Sequence, residues 1–235
     1  MMNDLERIWR AAVHTQVIRP PQQLLATFGQ TNIHYYLLTE PVYKEIEESG
    51  SPETVLREGR VIAERPKLVT PLYLKKLEGF GDDARRYFDM MMQQHGPNAP
   101  GLLYTYKNEP KDTSILSGNL PSVAQRINSD ITERGETGAT IIRGLDEMWD
   151  VSLFKFIYEL TERSIGQNVS ELNQHGLMRI DERGLPAEAR MRIEQLFWEV
   201  GIGECDPAQL KTELDRWELF DEYQDRFFEV VRRRK

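Results

Sequence analysis

Glu109 and Lys111, two residues apart, come nearest in this 235-residue chain to a pair whose types and spacing could do chemistry. A carboxylate can hold magnesium or manganese, and a lysine two positions on can activate water or hold the charge that builds in a transition state. Such a site needs a second acid, which Asp82, Asp83 or Asp89 upstream could supply. Leu103, Tyr104, Thr105 and Tyr106 precede the pair and alternate like a strand, so Tyr104 and Tyr106 share a face. The strand is expected to empty into a polar turn over Asn108, Glu109, Pro110, Lys111 and Asp112, with the reactive groups at its end.

Glu-x-Lys spacing recurs at strand ends in metal-dependent nucleases, so the cluster from Tyr106 to Lys111 supports a hydrolase or nuclease as one alternative. Pro110 between the two charges argues against a continuous central strand and for a surface turn. His34 is the candidate general base, flanked by Tyr35 and Tyr36, because a histidine is readily moved across neutrality. A structural histidine donating to a backbone carbonyl is the favoured reading. The four histidines, at 14, 34, 95 and 175, show no metal-site spacing. No cofactor is expected, save magnesium or manganese at Glu109 under the enzyme alternative.

The remaining motifs are incomplete. Gly135-Glu136-Thr137-Gly138-Ala139-Thr140 has small residues but lacks the lysine of a phosphate loop. Ser117-Gly118-Asn119 before Pro121 reads as a helix cap. Cys205, the single cysteine, sits between Glu204 and Asp206, which disfavour its thiolate. Arg57, Arg60, Arg65 and Lys67 could form a basic hairpin that touches nucleic acid. The cations at 232–235 complement the end of a helix.

Composition narrows the classes. With 40% hydrophobic and 29% charged residues the chain is an ordinary globular protein, and a net charge of −8 opposes broad attraction to nucleic acid. No third of the chain is basic. One cysteine allows no internal disulfide, and the sequence shows no secretory leader and no run of about 20 apolar residues. A cytoplasmic protein without membrane contact is expected.

The elements that must position these residues follow from pattern. A helix is expected over 4–18 with Leu5, Ile8, Trp9, Ala12 and Val13 on one face. Strands are expected at 33–38 and 67–70, and a hairpin over 54–63 with Gly59 near its turn. Helices are expected after Pro71, from about 82 to His95, over 120–133, 145–162 and 186–200, and from Pro207 almost to the end, the last capped by Asp206 with Gln209 reaching back. Strands before about residue 120 and helices after it predict an α+β fold: a small, mainly antiparallel sheet and a helix-rich C-terminal half. The division is drawn as 1–120 and 121–235, with one continuous domain as the alternative.

The last helix carries two apolar lines. Leu210, Leu214, Trp217, Phe220, Phe228 and Val231 anchor it, while Leu219, Tyr223 and Val230 form a separate line. A surplus line is expected to meet a protein partner or a second subunit, or else to lie in the chain's own core. Absent catalytic motifs and surplus apolar helix surface together favour an intracellular accessory or regulatory protein that works through protein contacts.

Overall fold

The computed structural model describes residues 4–42, 51–70, 73, 93, 101–181 and 185–233. The expected helices after Pro71 and around 82–95 lie outside them. In chain order the described elements are α1 (Asp4–His14), β1 (Gln16–Arg19), β2 (Thr31–Thr39), β3 (Glu53–Ala63), β4 (Lys67–Val69), β5 (Gly101–Leu103) and β6 (Tyr106–Ser117). They continue with α2 (Leu120–Glu133), β7 (Ala139–Arg143), a 3-10 turn (Asp146–Met148), α3 (Trp149–Gln174), α4 (Ala187–Gly201), α5 (Pro207–Arg216) and α6 (Phe220–Arg233). The fold is α+β, as the distribution of strands and helices predicts. No described helix is long and apolar enough to cross a membrane.

Contacts divide the chain into two compact units, each of two segments: Met1–Arg65 with Tyr104–Asn168, and Pro66–Leu103 with Val169–Lys235. A boundary at 120 does not coincide with this division, because α2 and β7 pack into the sheet unit.

The first unit holds a five-stranded mixed sheet in the order β1-β7-β2-β3-β6. β2 runs antiparallel to β3 and parallel to β7. Alternation sends Ile33, Tyr35 and Leu37 to one face, where they pack with Leu153, Phe156 and Leu160 of α3. Leu38, Leu56 and Ile141 face the other way, against Val123, Ala124 and Ile127 of α2. Burial on both faces explains why β2 and β7 read as apolar runs, YYLL and ATII, instead of alternating.

Residues 54–63 do not turn back on themselves. They form one eleven-residue strand, β3, with Gly59 in its middle. The glycine is there for space: a Cβ at 59 would run into the hydroxyl and ring of buried Tyr35, which crosses over it. Opposite it, β6 carries a bulge, pairing Asp112 with Glu58 and Pro110 with Gly59, so that Lys111 is extra. The polar cluster at 108–112 is therefore mid-strand and not a turn. Pro110 is tolerated because β6 is an edge strand.

Helix α1 ends at His14, and Val17 and Ile18 pass into β1. Ala11 is its buried contact, whereas Ile8, Trp9 and Val13 are exposed. Asn119 caps α2, its side chain accepting from the Ser122 N–H at 3.0 Å.

The second unit pairs β4 with β5 and packs α4, α5 and α6 around Ile193, Leu196, Phe197, Leu210, Leu214 and Trp217. The expected single C-terminal helix is broken into α5 and α6. Glu218 takes a left-handed backbone with φ of 57°. The Leu219 N–H donates to Leu214 O at 2.8 Å and the Glu218 N–H to Asp215 O at 3.1 Å. That pair of bonds, with Leu219 and Leu214 both in the core, is a Schellman stop. A glutamate where glycine is usual hid the stop from pattern reading. Asp206 caps α5, accepting from the Ala208 N–H at 2.9 Å. The Gln209 side chain instead faces Cys205, whose thiol lies 3.3 Å from its Oε1.

Candidate functional site

Tyr106, Glu109 and Lys111 do not converge. Pairing with Ala63 turns Tyr106 toward α3, while pairing with Arg60 turns Glu109 to the opposite face of the sheet. Tyr104 and Tyr106 do share a face, with ring centroids 6.4 Å apart. The Tyr104 hydroxyl donates to Asn168 Oδ1 at 2.7 Å, and Tyr106 bonds Thr161 of α3. Burial, with a smaller contribution from Tyr106, pushes Tyr104 up to about 12, which leaves it neutral and structural near pH 7. Asn168 also donates to Leu25 O and Thr27 Oγ1, both at 2.8 Å, so the tyrosines end in a satisfied buried network.

Glu109 sits between two cations. Lys107 Nζ is 2.7 Å from its Oε1, and Arg60 bonds its Oε2. Hydrogen bonds from Lys107 and then Arg60 hold the carboxyl down to about 2. An anion so neutralised is a poor proton acceptor and a weak metal ligand. Lys111, on the bulge, lies 3.7 Å from Glu58 and is not among the cations that pair with Glu109. His34 faces Arg60 across β2 and β3, giving a cross-strand row of His34, Arg60 and Glu109. Its side chain is exposed, and the firm contact at this residue is its backbone N–H to Gly138 O at 3.0 Å. Among the described residues no group of three His, Cys, Asp or Glu could hold a metal; Asp82, Asp83 and Asp89 lie outside them.

The basic residues of β3 are likewise engaged and divided. Arg57 faces α3, donating to Asp146 Oδ1 at 2.7 Å and to Thr39 Oγ1 at 3.0 Å, with its guanidinium over the Trp149 ring. Arg60 faces the other way, to Glu109. They do not form one stripe.

Leu219 is buried in the core of the second unit, and Tyr223 and Val230 pack against that core. The Tyr223 ring stacks on Phe197 at 5.6 Å, and Arg226 lies 4.1 Å over the same Phe197 while binding Glu194 through both nitrogens. The helix break at Glu218 rotates this line inward, so it is not the open surface expected of a partner site.

Exposed apolar surface lies elsewhere. Phe154 (76% exposed), Tyr158 (67%) and Ile165 fall within about 40° of one another on α3 at 100° per residue. Thr161, which touches Tyr106 of the edge strand, is about 20° from Phe154 on that wheel, so the apolar flank looks past the β6 edge. No strand pairs with the outer edge of β6 among the described residues, and Ile115 on it is 58% exposed.

A separate cleft of about 430 Å³ opens at the carboxyl ends of the parallel strands β2 and β7. Arg7, Arg10 and His14 of α1 form one wall, Glu40 to Val42 and Arg143 to Leu145 continue from the strand ends, and the turn at 146–148 closes it. Two buried hydroxyls fix the α1 wall: Thr15 donates to Ser152 of α3 at 2.8 Å. Nothing in the sequence announced this cleft. Its signal, Arg7 and Arg10 one turn apart and an Arg-Gly step after ATII, means little until β7 is placed beside β2. Comparison with protein families, characterised proteins and solved structures finds no match to this chain.

Proposed function

We propose that the protein is an accessory or regulatory protein that works through protein contacts. Its partner adds an extended segment to the outer edge of β6, with apolar side chains against Phe154 and Tyr158. What supports this is the open outer edge of β6, together with an exposed apolar flank on α3, the helix whose Thr161 touches Tyr106 of that strand. Alternate amides from Thr113 to Ser117 supply the backbone bonds, and the flank supplies the apolar contact. Pro110, the Lys111 bulge and the charge on Lys107 block the other half of the strand, so pairing is confined to 113–117. This reading places the protein in the cytoplasm and needs no cofactor. The hydrolase alternative draws less support, because Glu109 is already paired with Lys107 and Arg60 and Tyr106 lies on the other face of the sheet. The nucleic-acid alternative suffers similarly from the division of Arg57 and Arg60.

The test compares wild type with Phe154→Glu/Tyr158→Glu and with Ile115→Pro in pull-downs from the native host. The expected result is a protein retained by wild type, lost in both variants, and protecting the amides of 113–117 from hydrogen exchange. A partner lost instead with Trp9→Glu, or one that leaves those amides exchanging freely, overturns the reading. Self-association detected by light scattering, abolished by the same changes, assigns the edge to a second copy.

A further inference from the structure

The cleft beside β2 and β7 carries a second inference, independent of the β6 edge. We infer that it binds a phosphate monoester of a small organic molecule, with the phosphate at Arg10, Arg7 and Arg143. Its size is that of a small-ligand site. Its position, outside the carboxyl ends of adjacent parallel strands, is where open sheets leave a crevice between diverging connections.

The charge arrangement favours an anion. Asp146 is committed to the floor, where Arg57 and Thr39 both donate to it. Arg7 meets Glu147 at 3.3 Å and Arg143 meets Glu40 at 3.5 Å, with both acids more than half exposed. Such solvated pairs hold little energy and can open to a better acceptor. Arg10 has no ion-pair partner among the described residues. Four arginines therefore meet three acids, and the surplus guanidinium points to a guest that brings its own negative charge. A phosphate dianion can accept from several guanidinium forks at once, which a lone carboxylate does less well. Glu40 and Glu147 repel an anion that is not seated between the arginines, so they select position as well as charge. Pro41, Val42, Leu145 and Met148 give the remaining wall an apolar character that an inorganic ion would leave uncovered.

The probes are phenyl phosphate and inorganic phosphate, titrated calorimetrically at constant ionic strength held with sodium chloride. Phosphate also stabilises proteins by exclusion from their surface, so melting shifts alone are insufficient. We expect saturable binding of both, at least tenfold tighter for phenyl phosphate. Arg10→Gln should weaken it tenfold or more and Arg143→Gln at least threefold. Arg163→Gln, which changes an exposed cation on α3 away from the cleft, should leave it unchanged. Circular dichroism confirms that each variant is folded, and the two cleft variants serve as checks on each other. Absence of saturable binding, equal affinity for the two probes, or equal loss in Arg163→Gln overturns the inference. Failure of the β6 test leaves this one standing, because the two share no residue.

Discussion

Gly59→Ala measures directly whether Tyr35 crosses the middle of β3. Two opposed effects set its sign. Alanine in an ordinary strand position stabilises by about 0.5–1 kcal/mol, since glycine has more backbone freedom to lose on folding. Against this, the new methyl meets the hydroxyl and ring of a tyrosine that is 1% exposed and has nowhere to go. Overpacking of that kind costs about 1–3 kcal/mol. Moving the ring also breaks the Tyr35 bond to the Asn108 side chain, at about 1 kcal/mol. The steric and hydrogen-bond terms win, and a net loss of about 1–3 kcal/mol is expected. That is a fall in melting temperature of roughly 3–10 °C for a protein of this size. Urea unfolding followed by circular dichroism reads it. The decisive arm repeats the change in a Tyr35→Leu background, where no ring crosses the glycine. There Gly59→Ala should be neutral or stabilising by up to about 1 kcal/mol, so the effect changes sign across the double-mutant cycle. An equal loss in both backgrounds, or none in the wild-type background, refutes the reasoning.

Glu218→Gly should raise stability by about 1 kcal/mol, because a left-handed residue strains any side chain but glycine, whereas in a continuous helix the same change would cost about that much. The sign of the shift in denaturant midpoint decides between them. Leu219→Lys/Tyr223→Lys should abolish cooperative unfolding instead of merely dissociating a complex, since Leu219 would place a charge in the core; a sharp melt with altered mass by light scattering would contradict this. Glu109 has its carboxyl depressed to about 2 in the folded state from an ordinary 4.5. Its contribution is therefore complete above about pH 4.5 and lost as pH falls toward 2, so Glu109→Gln should flatten stability against pH in that window. Added salt should shrink the difference, because the cluster is open to solvent; a wild-type profile unchanged by the substitution would count against the ion pairs. Asp206→Ala should cost about 1 kcal/mol for the lost α5 cap, measured by urea midpoint.

Local signals were enough for much of the fold. Proline and glycine punctuation, with caps at Asn119 and Asp206, located α2, α4 and the start of α5, because a helix end is decided by groups within a few residues of it. The run of strand formers in β2 and the segregation of strands from helices made the α+β class legible for the same reason. What the sequence could not settle are matters of who lies opposite whom. Gly59 reads as a turn residue until Tyr35, twenty-four positions away, is seen across it. ATIIR at 139–143 is a short apolar run that the pattern assigns to no element until its parallel pairing with β2 makes it a strand. Glu109 and Lys111 look like partners in sequence, but a bulge opposite Gly59 sends one to Lys107 and Arg60 and the other to Glu58. The second apolar line of the last helix looks like surplus surface until a glutamate in a left-handed conformation turns it inward. The arginine cleft exists only where residues 7–14, 40–42 and 143–148 meet. In each case the deciding contact is long-range, and its energy comes from burial and pairing that no window of neighbouring residues contains.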